Sequence, residues 1–151
     1  PSFGAERRGA PVTASNRLSP RSLRVLSQIE YPSVVIVLDE TLLSSGNATD
    51  GLKQGGWMIM NSPKEPTQIG INDGFSIATA DASSAAHEAG LIISGMALVN
   101  TAMLGAFSRA TGIISLESIR TAIAASFPPA AAQKNYEAAR LTYERTIMNS
   151  V

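Results

Sequence analysis

The run VVIVL at residues 34–38 sets five apolar residues side by side, four of them β-branched. A strand with one wet face alternates apolar and polar residues, so an unbroken run marks a central strand covered on both faces, as in parallel α/β sheets. The run stops at Asp39. Further along, WMIM at residues 57–60 follows Gly55-Gly56 and repeats the pattern, and FSIAT at residues 75–79 supplies a third run that ends near Asp81. Three buried strands in sequence predict an open α/β sheet with helices on both faces. Before the first run, residues 12–18 and 23–29 flank Ser19-Pro20-Arg21-Ser22, where proline presets one turn torsion. They are expected to form a β-hairpin added to the sheet.

Helical patterning begins after Asp81, a good N-cap, and is predicted to run from Ala82 to about Ile93, with Gly95 as the stop. A second helix is predicted from Asn100, whose side chain can cap the first turn. Met103, Leu104 and Phe107 form its apolar face, and Gly112 lies past its end. Ser115 caps a third helix over residues 116–126, which places Ile119, Ile123 and Phe127 on one side, until Pro128-Pro129 interrupt it. From Ala130 to about Met148, an apolar stripe of Ala132, Tyr136, Ala139, Tyr143 and Ile147 predicts a last amphipathic helix, with Arg140 and Arg145 left for solvent or a partner.

A chain of 151 residues with this content fits one domain with a core of its own. Twelve basic residues balance twelve acidic ones, which gives no electrostatic reason to bind nucleic acid or a membrane surface. The absence of cysteine from these residues excludes disulfides, cysteine-ligated clusters and a thiol nucleophile within them. His87 is the only histidine, so no multi-histidine metal site is expected, and no metal or catalytic residue is assigned. Residues 89–108 carry no ionisable side chain, but Gly90, Gly95, Asn100, Thr101 and Gly105 interrupt them, which reads as soluble structure rather than a membrane span. No secretory-type leader is visible, and the expected setting is cytoplasmic.

The chain opens on PSFGAERRGAPV at residues 1–12, a double arginine bracketed by Gly4 and Gly9. Together with NTAMLGAF at residues 100–107 and TGIISLESI at residues 111–119, it resembles the gamma subunit or domain of 2-oxoacid:ferredoxin oxidoreductases, the pyruvate type in particular. The resemblance implies a Rossmann-like open sheet and a single domain over residues 1–151, forming the C-terminal majority of a gamma domain. It also implies a preceding strand, glycine-rich turn and helix, a βα unit that nothing in these residues matches. In such enzymes thiamine diphosphate with Mg, and iron-sulfur clusters, belong to alpha, beta and delta parts. Ferredoxin and coenzyme A act at the level of the complex. The chain itself is then noncatalytic and binds no cofactor alone.

The candidate site residues follow from their chemistry. Arg7 and Arg8 present bidentate guanidinium forks, suited to an intersubunit ion-pair cluster with Glu6 or to the phosphates of coenzyme A; the first reading is preferred. Gly4 and Gly9 serve backbone geometry. Asn100 and Thr101 open a helix, where free N–H groups could face an anion, although capping alone explains them. Asp39 and Asp81 stand at strand ends, where capping explains Asp81 and no glycine-rich turn accompanies either acid. The alternative to a gamma component is a free-standing Rossmann-like module for a nucleotide or coenzyme A. An independent hydrolase or dehydrogenase lacks the residues it would need.

Overall fold

The computed structural model describes residues 12–24, 27–45, 48–71 and 74–149. Three strands, β1 (Val34–Val37), β2 (Trp57–Asn61) and β3 (Ser76–Ala80), lie parallel in that order. Val35 stands opposite Met58, and Met58 opposite Ile77. This register sorts the side chains into two cores. Ile59, Ala78 and Ala80 face one way, and Val37, Met58, Met60 and Ile77 the other.

Four helices follow β3: α1 (Ala82–Glu88), α2 (Val99–Thr111), α3 (Leu116–Ser126) and α4 (Pro129–Arg145). They cover only one face, where Ala86, Ala102, Met103, Ala106 and Ala138 pack on Ile59 and Ala78. The prediction of helices on both faces is corrected among the described residues. Both crossovers, from β1 to β2 and from β2 to β3, pass over the opposite face. They are built from 3₁₀ helices, Glu40–Ser45 and Pro66–Gln68, and from loops that bring Leu42, Leu43, Leu52 and Ile69 onto Met58 and Met60.

Four further corrections concern boundaries. The first run forms a strand over Val34–Val37, but among the described residues it lies at a sheet edge rather than its centre, with Ile36 37% and Leu38 40% exposed. The hairpin expected over residues 12–29 does not form among its described residues. Instead the Arg17 guanidinium ties the two stretches together by donating to the Ser27 carbonyl at 2.9 Å and the Gln28 carbonyl at 3.3 Å. Helix α1 ends at Glu88, not near Ile93, because Gly90 turns left-handed at φ +66°. The chain then makes a hairpin of β4 (Ile92–Ile93) and β5 (Met96–Ala97), in which Ser94 and Gly95 both take positive φ, as a two-residue turn of matching twist requires. Finally, the last helix stops at Arg145, and β6 (Ile147–Asn149) adds antiparallel to β3.

Helix α3 spans its predicted residues, held at its start by Ser115, whose Oγ accepts from the Ser118 N–H at 3.1 Å. Helix α2 ends as predicted at Gly112, whose φ of +63° provides the left-handed cap. The predicted stripe on α4 is only part of its buried surface. Ala132, Tyr136 and Ala139 face Ile119 and Ile123 of α3, whereas Asn135, Ala138 and Thr142 are buried. Arg120 lies over the Tyr136 ring and Arg109 over the Tyr143 ring, at 5.6 and 5.4 Å from the centroids. Arg145 pairs with Glu88 at 2.8 Å, and Arg140 with Glu137 and Glu144.

Helices α2 and α4 touch backbone to backbone. A Cβ placed on Gly105 would fall 1.9 Å from the Ala139 carbonyl oxygen and 2.8 Å from the Tyr143 nitrogen. Neither atom can move without moving α4. Gly105→Ala is therefore expected to destabilise the fold by about 2–3 kcal/mol despite the helix preference of alanine. The urea midpoint of the variant beside wild type checks this, and an unchanged or raised midpoint would contradict the contact.

Candidate functional site

Because β1, β2 and β3 run the same way, their carboxyl ends share one edge, the side on which open α/β sheets place ligands. A cleft of about 450 Å³ opens there, lined by Leu38, Asp39, Glu40, Asn61, Ser83, Met96, Ala97 and Val99. The first wall follows β1, the floor is the end of β2, and the hairpin with the start of α2 closes the far side.

Asn61 joins these parts. Its Nδ2 donates to the Leu38 carbonyl and to Ser83 Oγ, both at 3.0 Å. Its Oδ1 accepts from the N–H groups of Ala82 and Ser83 at 3.0 and 3.3 Å, so the side chain caps α1 from a neighbouring strand. One amide thus links three strand ends. Asp81 completes the cap, accepting from the Ser84 N–H at 2.8 Å and from Ser84 Oγ at 2.6 Å, the capping role expected of it.

The charges are set locally. Asp39 Oδ1 accepts from the Thr41 hydroxyl at 2.7 Å and the Thr41 N–H at 2.9 Å, and these bonds hold its carboxyl below the usual range. Glu40 is likewise lowered, first by Lys64, with which it is paired, and then by Ser62 Oγ, which donates to it at 3.0 Å. A second, smaller hollow of about 260 Å³ lies at the amino edge, between Lys53, Gly55, Trp57, Thr111 and Ile113. Among the described residues, no group of three or more acids and histidine is placed to hold a metal.

Of the residues singled out from sequence, Gly4, Glu6, Arg7, Arg8 and Gly9 lie outside the described residues. Asn100 is exposed in the first turn of α2 and is not its cap; the helix starts one residue earlier, after Leu98, which offers no side-chain bond. Thr101 is 8% exposed in the same turn, and their neighbour Val99 lines the cleft. His87 is exposed on α1. Met58, Met60 and Met103 are fully buried, while Met96 is exposed. Sequence reasoning missed Asn61, Ser62, Glu40 and Lys64. The signal available was a polar residue directly after an apolar run, with Ser62-Pro63 turning the chain away.

Fold and edge together define an α/β domain with a parallel core, a helical layer on one side and a polar cleft at the carboxyl edge of the sheet. The chain belongs to the pyruvate ferredoxin/flavodoxin oxidoreductase family, whose model matches residues 1–145. It is similar to the pyruvate/ketoisovalerate oxidoreductases common subunit gamma of Thermococcus litoralis, with 40% identity over 98% of this chain and 80% of the relative. The pyruvate synthase subunit PorC of Methanocaldococcus jannaschii is 40% identical over 97% of this chain and 78% of its own. Among solved structures, the pyruvate oxidoreductase subunit PORC of Thermotoga maritima superposes with a TM-score of 0.69 at 34% identity, covering 81% of this chain and 67% of that one.

Asn61→Leu removes the donors and acceptor that bind β1 to α1 and is expected to destabilise the protein by about 2–3 kcal/mol, read from its urea midpoint. The lowered carboxyls of Asp39 and Glu40 give a signed pH dependence. Each contributes stability that is present above its unfolded value and is lost as pH falls through the lower folded value. Stability should therefore fall between roughly pH 5 and pH 2, and less steeply in an Asp39→Asn, Glu40→Gln variant. Equal slopes in denaturation series of the two proteins would refute the assignment.

Proposed function

We propose that this chain is the gamma component of a 2-oxoacid:ferredoxin oxidoreductase that acts on pyruvate. In that assembly, thiamine-dependent oxidative decarboxylation yields acyl-coenzyme A and passes electrons to ferredoxin. The observation that carries the reading is the family match across residues 1–145, with relatives at about 40% identity that are themselves named as subunits. Subunit names argue against a free-standing nucleotide-binding module.

The residue inventory supports a supporting rather than a reacting role. Thiamine diphosphate with its Mg, and the iron-sulfur clusters, do not fit these residues. There is no cysteine to ligate a cluster, and the acids at the strand ends are committed locally, Asp39 to Thr41, Asp81 to the cap of α1 and Glu40 to Lys64. Partner subunits of the alpha, beta and delta kinds hold those groups, in the cytoplasm. This chain's own contribution is to hold shape. Glu6, Arg7 and Arg8 form an ion-pair cluster across a subunit boundary, with Gly4 and Gly9 shaping the backbone. The opening turn of α2, where Asn100 is exposed and Thr101 lies beneath it, sits at an interface or near coenzyme A. The exposure of Ile36 on β1 supports a further layer beside that strand.

Copurification should recover this chain with a thiamine-binding and a cluster-binding subunit, and the chain alone should show no pyruvate turnover. Arg7→Ala, Arg8→Ala is expected to weaken assembly by about tenfold or more while leaving the unfolding midpoint unchanged. Unchanged assembly with a raised KM for coenzyme A would instead assign the arginines to the ligand.

A further inference from the structure

The carboxyl-edge cleft combines one unpaired carboxylate with an apolar wall. Asp39 Oδ1 is engaged by Thr41, and no lysine or arginine among the described residues pairs with the carboxylate. Glu40, next to it, is already neutralised by Lys64. Facing the acid, Leu38 is 40% exposed and Met96 69% exposed. Ile93, paired with Met96 across the hairpin, is 61% exposed. Ile93 and Met96 are held out on a tight hairpin, with Leu38 across the cleft at the end of β1, and hydrophobic surface of this kind beside an acid marks a contact.

We propose that this cleft receives a lysine or arginine carried on an apolar segment of a partner subunit. The alkyl stem would lie along Leu38 and Met96, and the cationic head would reach Asp39. The reading rests on the gamma-component assignment and adds to it the surface and the chemistry of the partner. Charge decides between a polypeptide and a phosphate-bearing ligand here. A phosphate in this cleft would meet the oxygens of Asp39 and Glu40, whereas a cation supplies the charge that Asp39 lacks and its stem covers what Met96 exposes. The site is also built for contact. Asn61 fixes the wall after β1 to α1, so Asp39 is presented on a braced edge and association orders few groups.

The test uses the reconstituted complex. Asp39→Asn keeps an oxygen for the Thr41 bonds and removes only the charge; Met96→Ser removes the apolar wall; Asp50→Asn, at an exposed acid outside the cleft, is the control. Affinity of each chain for the remaining subunits is measured at low and high salt. Asp39→Asn is expected to lose about tenfold in affinity at low salt and to show a flatter salt dependence, while remaining folded at the assay temperature as read by circular dichroism. Met96→Ser is expected to lose affinity equally at both salt concentrations, and Asp50→Asn to match wild type. Wild-type affinity and salt dependence in Asp39→Asn would overturn the proposal. So would normal assembly of that variant with a raised KM for coenzyme A, which would place a small molecule in the cleft. A wild-type chain that joins no partner subunit at all would overturn the gamma-component reading itself, and this proposal with it.

Discussion

Helix α2 lies against α4 with no side chain between them at Gly105, and the arrangement of the helical layer depends on that approach. The two helices meet through small residues, Ala102 and Ala106 on one and Ala138 and Ala139 on the other, so their backbones sit close and the layer is thin. A larger side chain at the crossing would lift α4 away from the sheet. Helix α4 in turn delivers β6 to the edge of β3, while the start of α2 forms one wall of the carboxyl-edge cleft. The absent Cβ of a single glycine therefore constrains both a sheet edge and the cleft. Arg109 of α2, stacked on Tyr143, lies along the same contact, while Arg120 of α3, stacked on Tyr136, joins α3 to α4.

Across the sheet, the constraint is polar rather than steric. Asn61 sits where β2 ends, and its amide has the donors and acceptor to satisfy the end of β1 and the start of α1 together. A hydrophobic residue there would leave first-turn N–H groups of α1 without an acceptor, which is costly at a half-buried position. Asp81 caps the same helix from its own strand. Two polar side chains thus brace a short helix that intrinsic propensity would not hold, since seven residues nucleate poorly alone.

Where the sequence was legible, the signal was local and chemical. The β-branched run at residues 34–38 and the apolar runs after it gave the three parallel strands, and Ser115 with Pro128-Pro129 bounded α3. Errors arose where a tertiary neighbour decides. Nothing within residues 34–38 says that the run lies at an edge, because burial on two faces depends on what packs there. The apolar stripe of α4 continues through Ile147, yet Thr146 turns to an extended conformation and pairing with β3 takes over. Gly95 reads as a helix stop but forms a hairpin turn with Ser94, because serine as well as glycine takes positive φ there. Of the candidate site, the acids at strand ends were legible. Asn61 was not, since its role appears only once three separate chain segments share an edge.

The chemistry of that edge also sets this sheet apart from parallel sheets that hold nucleotides. Parallel sheets that hold nucleotides at their carboxyl ends do so with glycine-rich turns, whose N–H groups face phosphate oxygens. In this chain the corresponding N–H groups after β3 are satisfied internally by Asn61 and Asp81, and acids follow β1. The topology that creates a crevice is kept, but its donors are spent on the protein's own helix and its outward charge is negative. What remains available is shape, an apolar rim and Asp39, a combination that suits a basic polypeptide better than an anion.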